Sequence, residues 1–319
     1  MSAEVVVCGE AMLLMLAEPG VPLEHALSFR RSVAGAESNV AAGLARLGHS
    51  VRWLGRVGDD PAGRSVLAQL RAQGVDTGYA VTDPEAPTGV LIRDSHPARA
   101  IDVQYLRAGS AASRLSPEQL EPGMFEGARL VHVTGITPML SESAHRATWR
   151  LAELARAAGA VLSFDPNIRH KLGPPDRWRE TVGPLPARAD VVLAGEDELE
   201  VLGVPDPAAL LESGPGTLVV KHRDKSATCL TRDAGAHHRP PFDVPVTDPV
   251  GAGDAFAAGF LSGLLHGFDP ARCLDRAAAV AALVVQCPTD TDGLPDRAGL
   301  DRALAAFTGT GAETETVIR

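Results

Sequence analysis

Residues 248–260 read DPVGAGDAFAAGF, a glycine-containing turn that leads directly into a helix of small residues. The first N–H groups of a helix lack partners within the helix and lie at the positive end of its dipole, and glycines let an anion approach the backbone closely. The backbone of Gly251, Ala252 and Gly253 is therefore a candidate phosphate-binding site. The simpler interpretation is an ordinary helix start, in which Asp254 favours the first turn.

Two better-known glycine motifs do not fit this segment. A Walker A loop requires Gly-Lys-Ser/Thr, which is absent, and a dinucleotide fingerprint requires Gly or Ala where Phe256 stands. The segment offers instead a carboxylate, Asp254, one residue beyond the candidate amides. A carboxylate there could accept the proton of an attacking hydroxyl while the amides hold a phosphate, and this combination predicts phosphoryl transfer.

Away from this turn, short β-branched segments alternate with Ala-, Leu- and Arg-rich segments of helical period. The alternation predicts an α/β fold, with helices flanking a central, mostly parallel sheet. The candidate strands are Val5–Cys8, Val51–Val57, Leu130–Thr134, Val161–Asp165, Val191–Ala194 and Thr217–Lys221. The candidate helices lie near Glu37–Leu47, Pro61–Gln73, Ser141–Ala158, Glu196–Leu202, Ala252–His266, Pro270–Gln286 and Pro295–Phe307.

The alternation breaks between residues 78 and 107, where three strand-like segments follow one another without a helix. They are Gly78–Val81, Thr88–Arg93 and Ala100–Leu106. We expect a small antiparallel β lid, which cannot bury itself alone and should lie across the mouth of the main domain or against a second copy. A homo-oligomer is therefore expected. We predict one domain over residues 1–308, with its lid formed mainly by residues 78–107, and a disordered tail over residues 309–319.

Composition excludes several classes of protein. With 319 residues, 45% of them hydrophobic, the chain can bury one substantial core. A formal charge of −10 gives no electrostatic footprint for nucleic acid or an anionic membrane, and no apolar stretch is long enough for a membrane span. The four cysteines share no CxxC spacing, so neither a zinc knuckle nor a disulfide framework is predicted. We expect a cytoplasmic protein.

Two separated motifs resemble the ribokinase/PfkB carbohydrate kinase family. The segment 248–254, followed by small residues and Gly-Phe, is similar to the family's C-terminal motif, Asp-x-x-Gly-Ala-Gly-Asp. The N-terminal motif is matched by AGAESNVA at 34–41, with Gly48 and Gly58 at the expected intervals. The resemblance extends over residues 5–307, nearly the whole chain. It implies a ribokinase-like fold and an enzyme that uses ATP and Mg²⁺.

Carried over to this sequence, the family's motifs imply roles for individual residues. Gly35 and Asn39 would lie in the sugar pocket, and Asp254 would be the general base. The amides of Gly251, Ala252 and Gly253 would stabilise the transferred phosphoryl group. The partners implied are ATP and a small-molecule sugar.

Two further segments resemble the subfamily of 2-keto-3-deoxygluconate kinases. FDPNIR at 164–169 is similar to its Asp-x-Asn-x-Arg segment, and QYLRAGSAASRLS at 104–116 is similar to its Tyr-x-Arg followed by Gly-Ser-Ala-x-Ser-x-Leu. The resemblance implies an acid sugar. Arginine suits a carboxylate geometrically, so Arg107 and Arg169 are the candidate carboxylate and keto-acid partners. Tyr105 would fix the orientation of the sugar.

These substrate residues have simpler alternatives. Arg107 can be a solvated strand arginine, and Tyr105 can pack on an edge strand. Asp290 matches an acidic residue close to the hydroxyl that receives phosphate, but it also fits a polar turn. The subfamily's aromatic residue after Thr-Gly is replaced by Leu91. Segment 9–14, GEAMLL, places leucines where kinases of neutral sugars carry Asp, which disfavours ribose and fructose.

The nucleotide side departs from the family. The expected Gly-x-x-Gly loop after Thr217–Lys221 reads HRDKS at 222–226, so both glycines, at positions 223 and 226, are lost. Lys221, Arg223 and Lys225 would supply positive charge to the phosphates.

Two further groups complete the predicted nucleotide site. Asn167 and Arg169 would lie where substrate and phosphates meet. Glu198, in GEDE at 195–198, matches the Glu of the family's Asn-x-x-Glu motif and would hold Mg²⁺ through water, although it also fits an ordinary acid of a first helical turn.

The sequence thus predicts an ATP-dependent kinase that phosphorylates the terminal (C6) hydroxyl of 2-keto-3-deoxygluconate. Two alternatives stay open. Another member of the family would act on fructose, ribose, a nucleoside or a related deoxy-keto acid. A non-catalytic sugar-binding protein on the same fold would account for the lost loop glycines.

Overall fold

The computed structural model describes residues 2–96, 100–204 and 206–309. The strands are β1 (Val5–Cys8), β2 (Met12–Ala17), β3 (Phe29–Ala34), β4 (Val51–Leu54), β5 (Arg56–Gly58), β6 (Val81–Asp83), β7 (Val90–Arg93), β8 (Val103–Leu106), β9 (Leu130–Thr134), β10 (Val161–Asp165), β11 (Val191–Gly195), β12 (Thr217–Lys221), β13 (Ala227–Thr231) and β14 (Gly235–Arg239). The helices are α1 (Ala36–Arg46), α2 (Pro61–Ala72), α3 (Ile136–Leu140), α4 (Glu142–Ala157), α5 (Pro175–Val182), α6 (Glu196–Leu202), α7 (Pro207–Ser213), α8 (Ala252–Leu265), α9 (Pro270–Val284) and α10 (Arg297–Thr308).

Eight strands form the main sheet, in the order β14-β13-β12-β11-β10-β9-β1-β4. From β12 to β4 all neighbours are parallel, and β13 and β14 add an antiparallel edge. The predicted strands β1, β9, β10 and β12 have the bounds read from the sequence. The predicted strand Val51–Val57 is divided at Gly55 into β4 and β5, and the β13–β14 hairpin was not predicted.

Both faces of the main sheet are covered by helices. In β1, Val5 and Val7 pack with residues of α1, α8 and α9, whereas Val6 and Cys8 pack with residues of α4, α5 and α6. This alternation follows from the period of two along a strand, and sheets buried on both faces are typical of βα units. The predicted α/β fold with a central, mostly parallel sheet is confirmed.

A second sheet, the small sheet, has the order β3-β2-β7-β8. Its β2–β3 and β7–β8 pairs are antiparallel, and its β2–β7 pair is parallel. The expectation that residues 78–107 form most of this lid is corrected, because β2 and β3 come from residues 12–34. Val81–Asp83, near the predicted strand Gly78–Val81, pairs instead with β5. The chain passes from β1 to β2 without an intervening helix. The apolar segment of β2 was not recognised as a separate strand in the sequence.

Four observations complete the description of the chain. Helix α10 begins at Arg297 rather than Pro295, because the Asp296 side chain accepts a hydrogen bond from Gly299 N at 2.6 Å and caps the helix. All four cysteines are free thiols. Among the described residues, no helix has the length and apolar character needed to cross a bilayer. Apart from Gly309, the predicted tail lies outside the described residues.

Candidate active site

A cavity of about 970 Å³ lies between the carboxyl ends of the parallel strands and the inner face of the small sheet. Glu10 follows β1, Asn167 follows β10, Glu198 follows β11, and Lys221 ends β12, and all four line the cavity. Ligands of open α/β sheets bind outside the carboxyl ends of the strands, so this is the expected place for a site. The small sheet contributes Met12, Leu91, Arg93, Val103 and Tyr105 to the opposite wall.

The phosphate turn, residues 248–254, lies on one wall of this cavity at the start of α8. Gly251 caps the helix with φ +83°, a left-handed conformation, and a Cβ atom added there would lie 2.8 Å from the Cα of Asp290. Gly251 is therefore required by both its conformation and its packing. A Cβ added to Gly253 would meet no atom within 4 Å, so open space lies beside this residue. The Ala252 amide donates a long bond, 3.4 Å, to Pro249 O.

Asp254 lies in the first turn of α8 and is buried. Its two carboxylate oxygens accept hydrogen bonds from different amides, Oδ2 from Asn39 Nδ2 at 2.8 Å and Oδ1 from Asn167 Nδ2 at 3.2 Å. Burial raises the pKa of Asp254 to about 7, against the bond from Asn39 and the positive charge of Arg169, which lower it. A carboxyl group with this pKa can gain and lose a proton near neutral pH.

The predicted sugar-pocket residues are brought together. A Cβ on Gly35, whose φ is +148°, would lie 2.3 Å from the carbonyl oxygen of Glu10, so only glycine fits beside this strand end. Tyr105 lies under the Arg107 guanidinium, with 4.8 Å from Cζ to the ring centroid. Arg107 is buried and forms an ion pair with Glu10, which the sequence did not indicate.

Glu10 changes the interpretation of segment 9–14. The cavity-facing side chains of this segment are Glu10 and Met12, and not the leucines expected there. Glu10 is 1% exposed, and its Oε1 has no hydrogen-bond partner within the described chain. A carboxylate acceptor for a sugar hydroxyl is therefore present after β1, so the expectation that this segment disfavours neutral sugars is wrong.

Arg169 lies at the cavity edge and is exposed. Its Nη1 donates to Ile168 O at 3.1 Å, and it has no ion-pair partner among residues 2–96, 100–204 and 206–309. Its positive charge acts on Asp254 and favours the ionised carboxylate. Arg169 is thus placed where an anionic group of a substrate or a phosphate can reach it.

Asp290 is not a solvated turn residue. It is 4% exposed, and its Oδ1 accepts a hydrogen bond from Arg93 Nη2 at 2.8 Å. Its Oδ2 accepts a longer bond, 3.4 Å, from Asn39 Nδ2, the amide that also binds Asp254. The predicted acid is therefore beside the general-base candidate, held there by an arginine that the sequence analysis missed.

Lys221 is surrounded by acidic groups. Its Nζ lies 2.8 Å from Asp165 Oδ2 and 4.0 Å from Glu198 Oε2. Burial alone would lower the pKa of Lys221, but the attraction of these two carboxylates outweighs burial and raises it. Lys221 is therefore a fixed cation. Asp254 also contributes to this attraction.

Glu198 accepts a backbone hydrogen bond on each carboxylate oxygen, from Ile168 N at 2.8 Å and from Gly195 N at 2.7 Å. Burial raises the pKa of Glu198, and the nearby Lys221 partly opposes this rise. Each oxygen can still accept a further hydrogen bond, as from a water of a hydrated cation.

The basic residues of the loop 222–226 lie at the cavity in two different environments. Arg223 lines the cavity, but its Nη2 lies 2.9 Å from Glu200 Oε2 and its Nε 3.6 Å from Glu196 Oε1, both on α6. Its charge is thus already partnered by acids of α6, although the side chain lies at the cavity. Lys225 has φ +71° and lies exposed at the cavity rim, without an ion pair among the described residues.

Sequence reasoning missed three buried charged groups of the site: Glu10, Arg93 and Glu37. Glu37 Oε1 accepts hydrogen bonds from the hydroxyl groups of Thr134 and Thr137, at 2.7 and 2.6 Å. A usable signal existed for Arg93, because it shares one face of β7 with the buried Leu91. Glu10 directly follows a buried strand, which is also a recognisable position.

Comparison with known proteins agrees with this geometry. Residues 2–297 match the family model described as pfkB family carbohydrate kinase. A 2-dehydro-3-deoxygluconokinase from Bacillus subtilis (strain 168) is 36% identical over 313 residues, which cover 96% of this chain and 97% of that one. A 2-dehydro-3-deoxygalactonokinase from Haloferax volcanii is 36% identical over 89% of this chain and 91% of the other. The crystal structure of 2-dehydro-3-deoxygluconokinase from Thermotoga maritima superposes with a TM-score of 0.88, at 26% identity, over 94% of this chain and 99% of that one. The chain therefore belongs to the pfkB family and is a carbohydrate kinase with a ribokinase-like fold.

Proposed function

We propose that this kinase transfers the γ-phosphoryl group of ATP to the C6 hydroxyl of 2-keto-3-deoxygluconate, with Asp254 as the general base. The observation that carries the proposal is the placement of Asp254. Its buried carboxylate, with a pKa of about 7, lies beside the start of α8 in a cavity that also contains Arg107 and Arg169. The two relatives at 36% identity are named for this sugar acid and for its galactose-derived counterpart.

The reaction is a displacement at phosphorus. The sugar hydroxyl oxygen forms a bond to the γ-phosphorus, the bond from that phosphorus to the β,γ-bridging oxygen breaks, and ADP leaves. The hydroxyl proton passes to Asp254. Asn39 and Asn167 hold the two oxygens of Asp254, so the base is oriented before the sugar binds. The amides of Gly251 and Gly253, together with Arg169, stabilise the charge that builds up on the phosphoryl oxygens.

A group of apolar side chains in the cavity lining suits a nucleobase. They are Phe242, Val244, Val246, Ala278, Ala281 and Val285. Lys221 also lines the cavity and is a fixed cation suited to the phosphate chain.

The residues present also fit Mg²⁺. Glu198 faces the cavity with free lone pairs, and it would hold the ion through water. When bound, Mg²⁺ supplies positive charge to the β- and γ-phosphate oxygens.

Two arginines of the cavity serve anionic groups of the substrates. Arg169 has no acidic partner among the described residues, and its charge acts on Asp254, so it is assigned to the phosphoryl group and the sugar carboxylate is left to Arg107. Arg107 is held by Glu10 and stacked near Tyr105, so its donor groups are oriented before the substrate arrives. Glu10 Oε1 remains available to a sugar hydroxyl.

The test is ADP release from MgATP by the purified protein with a panel of acceptors. The panel contains 2-keto-3-deoxygluconate, its galactose-derived epimer, gluconate, fructose, ribose and adenosine. The proposal expects the highest kcat/KM with 2-keto-3-deoxygluconate. Equal use of the epimer would support the second candidate, a kinase of both keto-deoxy acids, which the Haloferax volcanii relative favours. A preference for fructose or ribose would contradict the acid-sugar assignment. If no acceptor of the panel led to ADP release, the non-catalytic alternative would remain.

A further inference from the structure

Arg93 connects the small sheet to the catalytic end of the cavity. It ends β7, is 0% exposed, and uses both terminal nitrogens on carboxylates. Its Nη1 donates to Asp248 Oδ2 at 2.6 Å, and its Nη2 donates to Asp290 Oδ1 at 2.8 Å. Nη1 also donates to the carbonyl oxygen of Asp94 at 3.1 Å. A planar guanidinium fixes two carboxylates in one geometry, which a flexible ammonium group cannot do equally well.

Each of the two carboxylates controls part of the phosphate turn. Asp248 begins the turn, and its Oδ1 accepts a hydrogen bond from Val250 N at 2.9 Å, which shapes the approach to Gly251. Asp290 supplies the backbone against which Gly251 packs, with 2.8 Å from a would-be Cβ to the Asp290 Cα. Arg93 therefore fixes the first residue of the turn through Asp248 and supports Gly251 through Asp290.

The same contacts reach the general base. Asp290 Oδ2 accepts from Asn39 Nδ2 at 3.4 Å, and the same amide donates to Asp254 Oδ2 at 2.8 Å. The positions of Asn39 and Asp254 thus depend on where Asp290 lies. Arg93 is the first member of this series of contacts.

Arg93 also balances the negative charge around the phosphate turn. Asp248, Asp254 and Asp290 are all buried beside the helix start that would receive an anionic phosphoryl group. Two of the three are neutralised only by Arg93 within the described salt bridges. Burial alone would lower the pKa of Arg93, but the attraction of Asp290 and Asp248 outweighs burial and raises it. Without this cation, uncompensated carboxylates would face the incoming phosphate, and unpaired buried charge is strongly unfavourable.

We propose that Arg93 is a positioning residue for phosphoryl transfer: by holding Asp248 and Asp290, it shapes the phosphate turn for the γ-phosphoryl group and aligns Asn39 with Asp254. It acts through these two carboxylates. The inference rests on the proposed function for the sugar used in turnover assays and for the role of Asp254, but its effect on nucleotide binding is measured without sugar.

The experiment compares Arg93→Met and Arg93→Lys with a matched control, Arg52→Met. Arg52 is also a buried strand arginine, 4% exposed, and it pairs with Asp76 away from the cavity. Thermal unfolding measures the stability lost in each variant. Calorimetry without sugar measures the Kd of MgATP and of MgADP, and ADP release with the preferred sugar acid measures kcat.

For Arg93→Met we expect kcat to fall about 100-fold, the scale of a small misplacement of reacting groups. The affinity for MgATP should fall about tenfold and that for MgADP less than about twofold, because only ATP places a γ-phosphate against the turn. Arg93→Lys should recover part of kcat. Arg52→Met should lose stability and leave kcat and both affinities near those of the wild type.

Chemical rescue separates positioning from folding. In Arg93→Ala, millimolar guanidinium should restore kcat about tenfold or more, whereas the same concentration of NaCl should not. Equal loss of MgATP and MgADP affinity, or an unchanged kcat in Arg93→Met, would overturn the proposal. If the wild type phosphorylates none of the sugar acids, the proposed function fails, but the comparison of ATP with ADP still decides the role of Arg93.

Discussion

The phosphate turn and the loop 222–226 both have the sequence features of anion-binding segments, yet they differ in the charge that they can offer a ligand. In the turn, Asn39 of α1 and Asn167, which follows β10, both donate hydrogen bonds to Asp254, and a Cβ added to Gly253 would meet open space. In the loop, Arg223 is bound by acids of α6. The presence of a basic residue therefore says little until its partners from other elements are known.

Lys221 and Arg223 show this within three residues. Lys221 ends a buried strand between Asp165 and Glu198, and its position is fixed. The Arg223 side chain is 64% exposed and reaches across to Glu200. Both side chains have acidic partners, but Lys221 is held inside the cavity, whereas Arg223 is held at its exposed rim.

The largest effect is expected at the turn itself. Asp254→Asn keeps the size of the side chain and removes its proton acceptor, so kcat should fall about 10²–10⁴-fold, the usual contribution of a general base. Binding of the sugar should stay near normal, as measured by isothermal titration calorimetry. Asp197→Asn is the control, since this exposed acid also lines the cavity but lies on α6. Unchanged turnover in Asp254→Asn would contradict the assignment of the base.

The pH profile should report the same group. Burial raises the pKa of Asp254 to about 7, so the carboxylate becomes protonated, and inactive as a base, as the pH falls below that value. For one group with this pKa, kcat/KM at pH 5 should be about 100-fold below its plateau. This fall of kcat/KM on the acidic side should be absent from the residual turnover of Asp254→Asn. If kcat/KM of the wild type fell only near pH 4, Asp254 would not be desolvated as the structure indicates.

Arg107 tests the sugar end of the cavity. Arg107→Ala removes a buried, oriented donor, so the KM for 2-keto-3-deoxygluconate should rise about 10–100-fold, as expected when an ionic partner is lost. The KM for fructose should change much less. Because this variant leaves Glu10 without its cation, the double variant Glu10→Gln/Arg107→Ala is the control for uncompensated charge. Equal changes in KM for both sugars would argue against a carboxylate contact.

The fold was largely predictable because its signals are local. Strands buried on both faces read as short apolar runs, and helices carry their own caps, so β1, β9, β10, β12 and α6 have the predicted bounds. The small sheet was harder. Its strands β2 and β7 are neighbours although more than 70 residues separate them in the chain, and no local pattern encodes such a pairing.

In the candidate site, too, residues of local motifs could be predicted and residues with distant partners could not. Gly251, Asp254 and Asn39 belong to compact motifs, and the structure brings them together. Glu10 and Arg93 take their meaning from partners nearly 100 and 155 or more residues away, Arg107 for Glu10, and Asp248 and Asp290 for Arg93. A single sequence gives residue types and spacing, but it does not state which buried charges will neutralise one another.

Gly251 tests the geometry of the turn with a smaller effect. Gly251→Ala forces a residue with a Cβ into the left-handed region and against Asp290, so the free energy of unfolding should fall by about 1–2 kcal/mol. Gly253→Ala is the matched control, because its added Cβ meets open space and its φ is not in that region. Chemical denaturation measures both. Equal destabilisation of the two variants would mean that close packing of the turn on Asp290 does not matter.

The smallest effect is expected in the loop. Arg223→Ala removes an exposed side chain whose charge is already partnered by Glu200 and Glu196, so the KM for ATP should change less than about twofold, the scale of an exposed ion pair. Lys221→Met, measured in the same assay, should raise that KM considerably more, because it leaves the buried Asp165, and Glu198 beside it, without their cation. A tenfold rise in Arg223→Ala would show that nucleotide draws the arginine away from α6. The loop would then supply charge to the phosphates despite its partners, and the contrast with the phosphate turn would no longer hold.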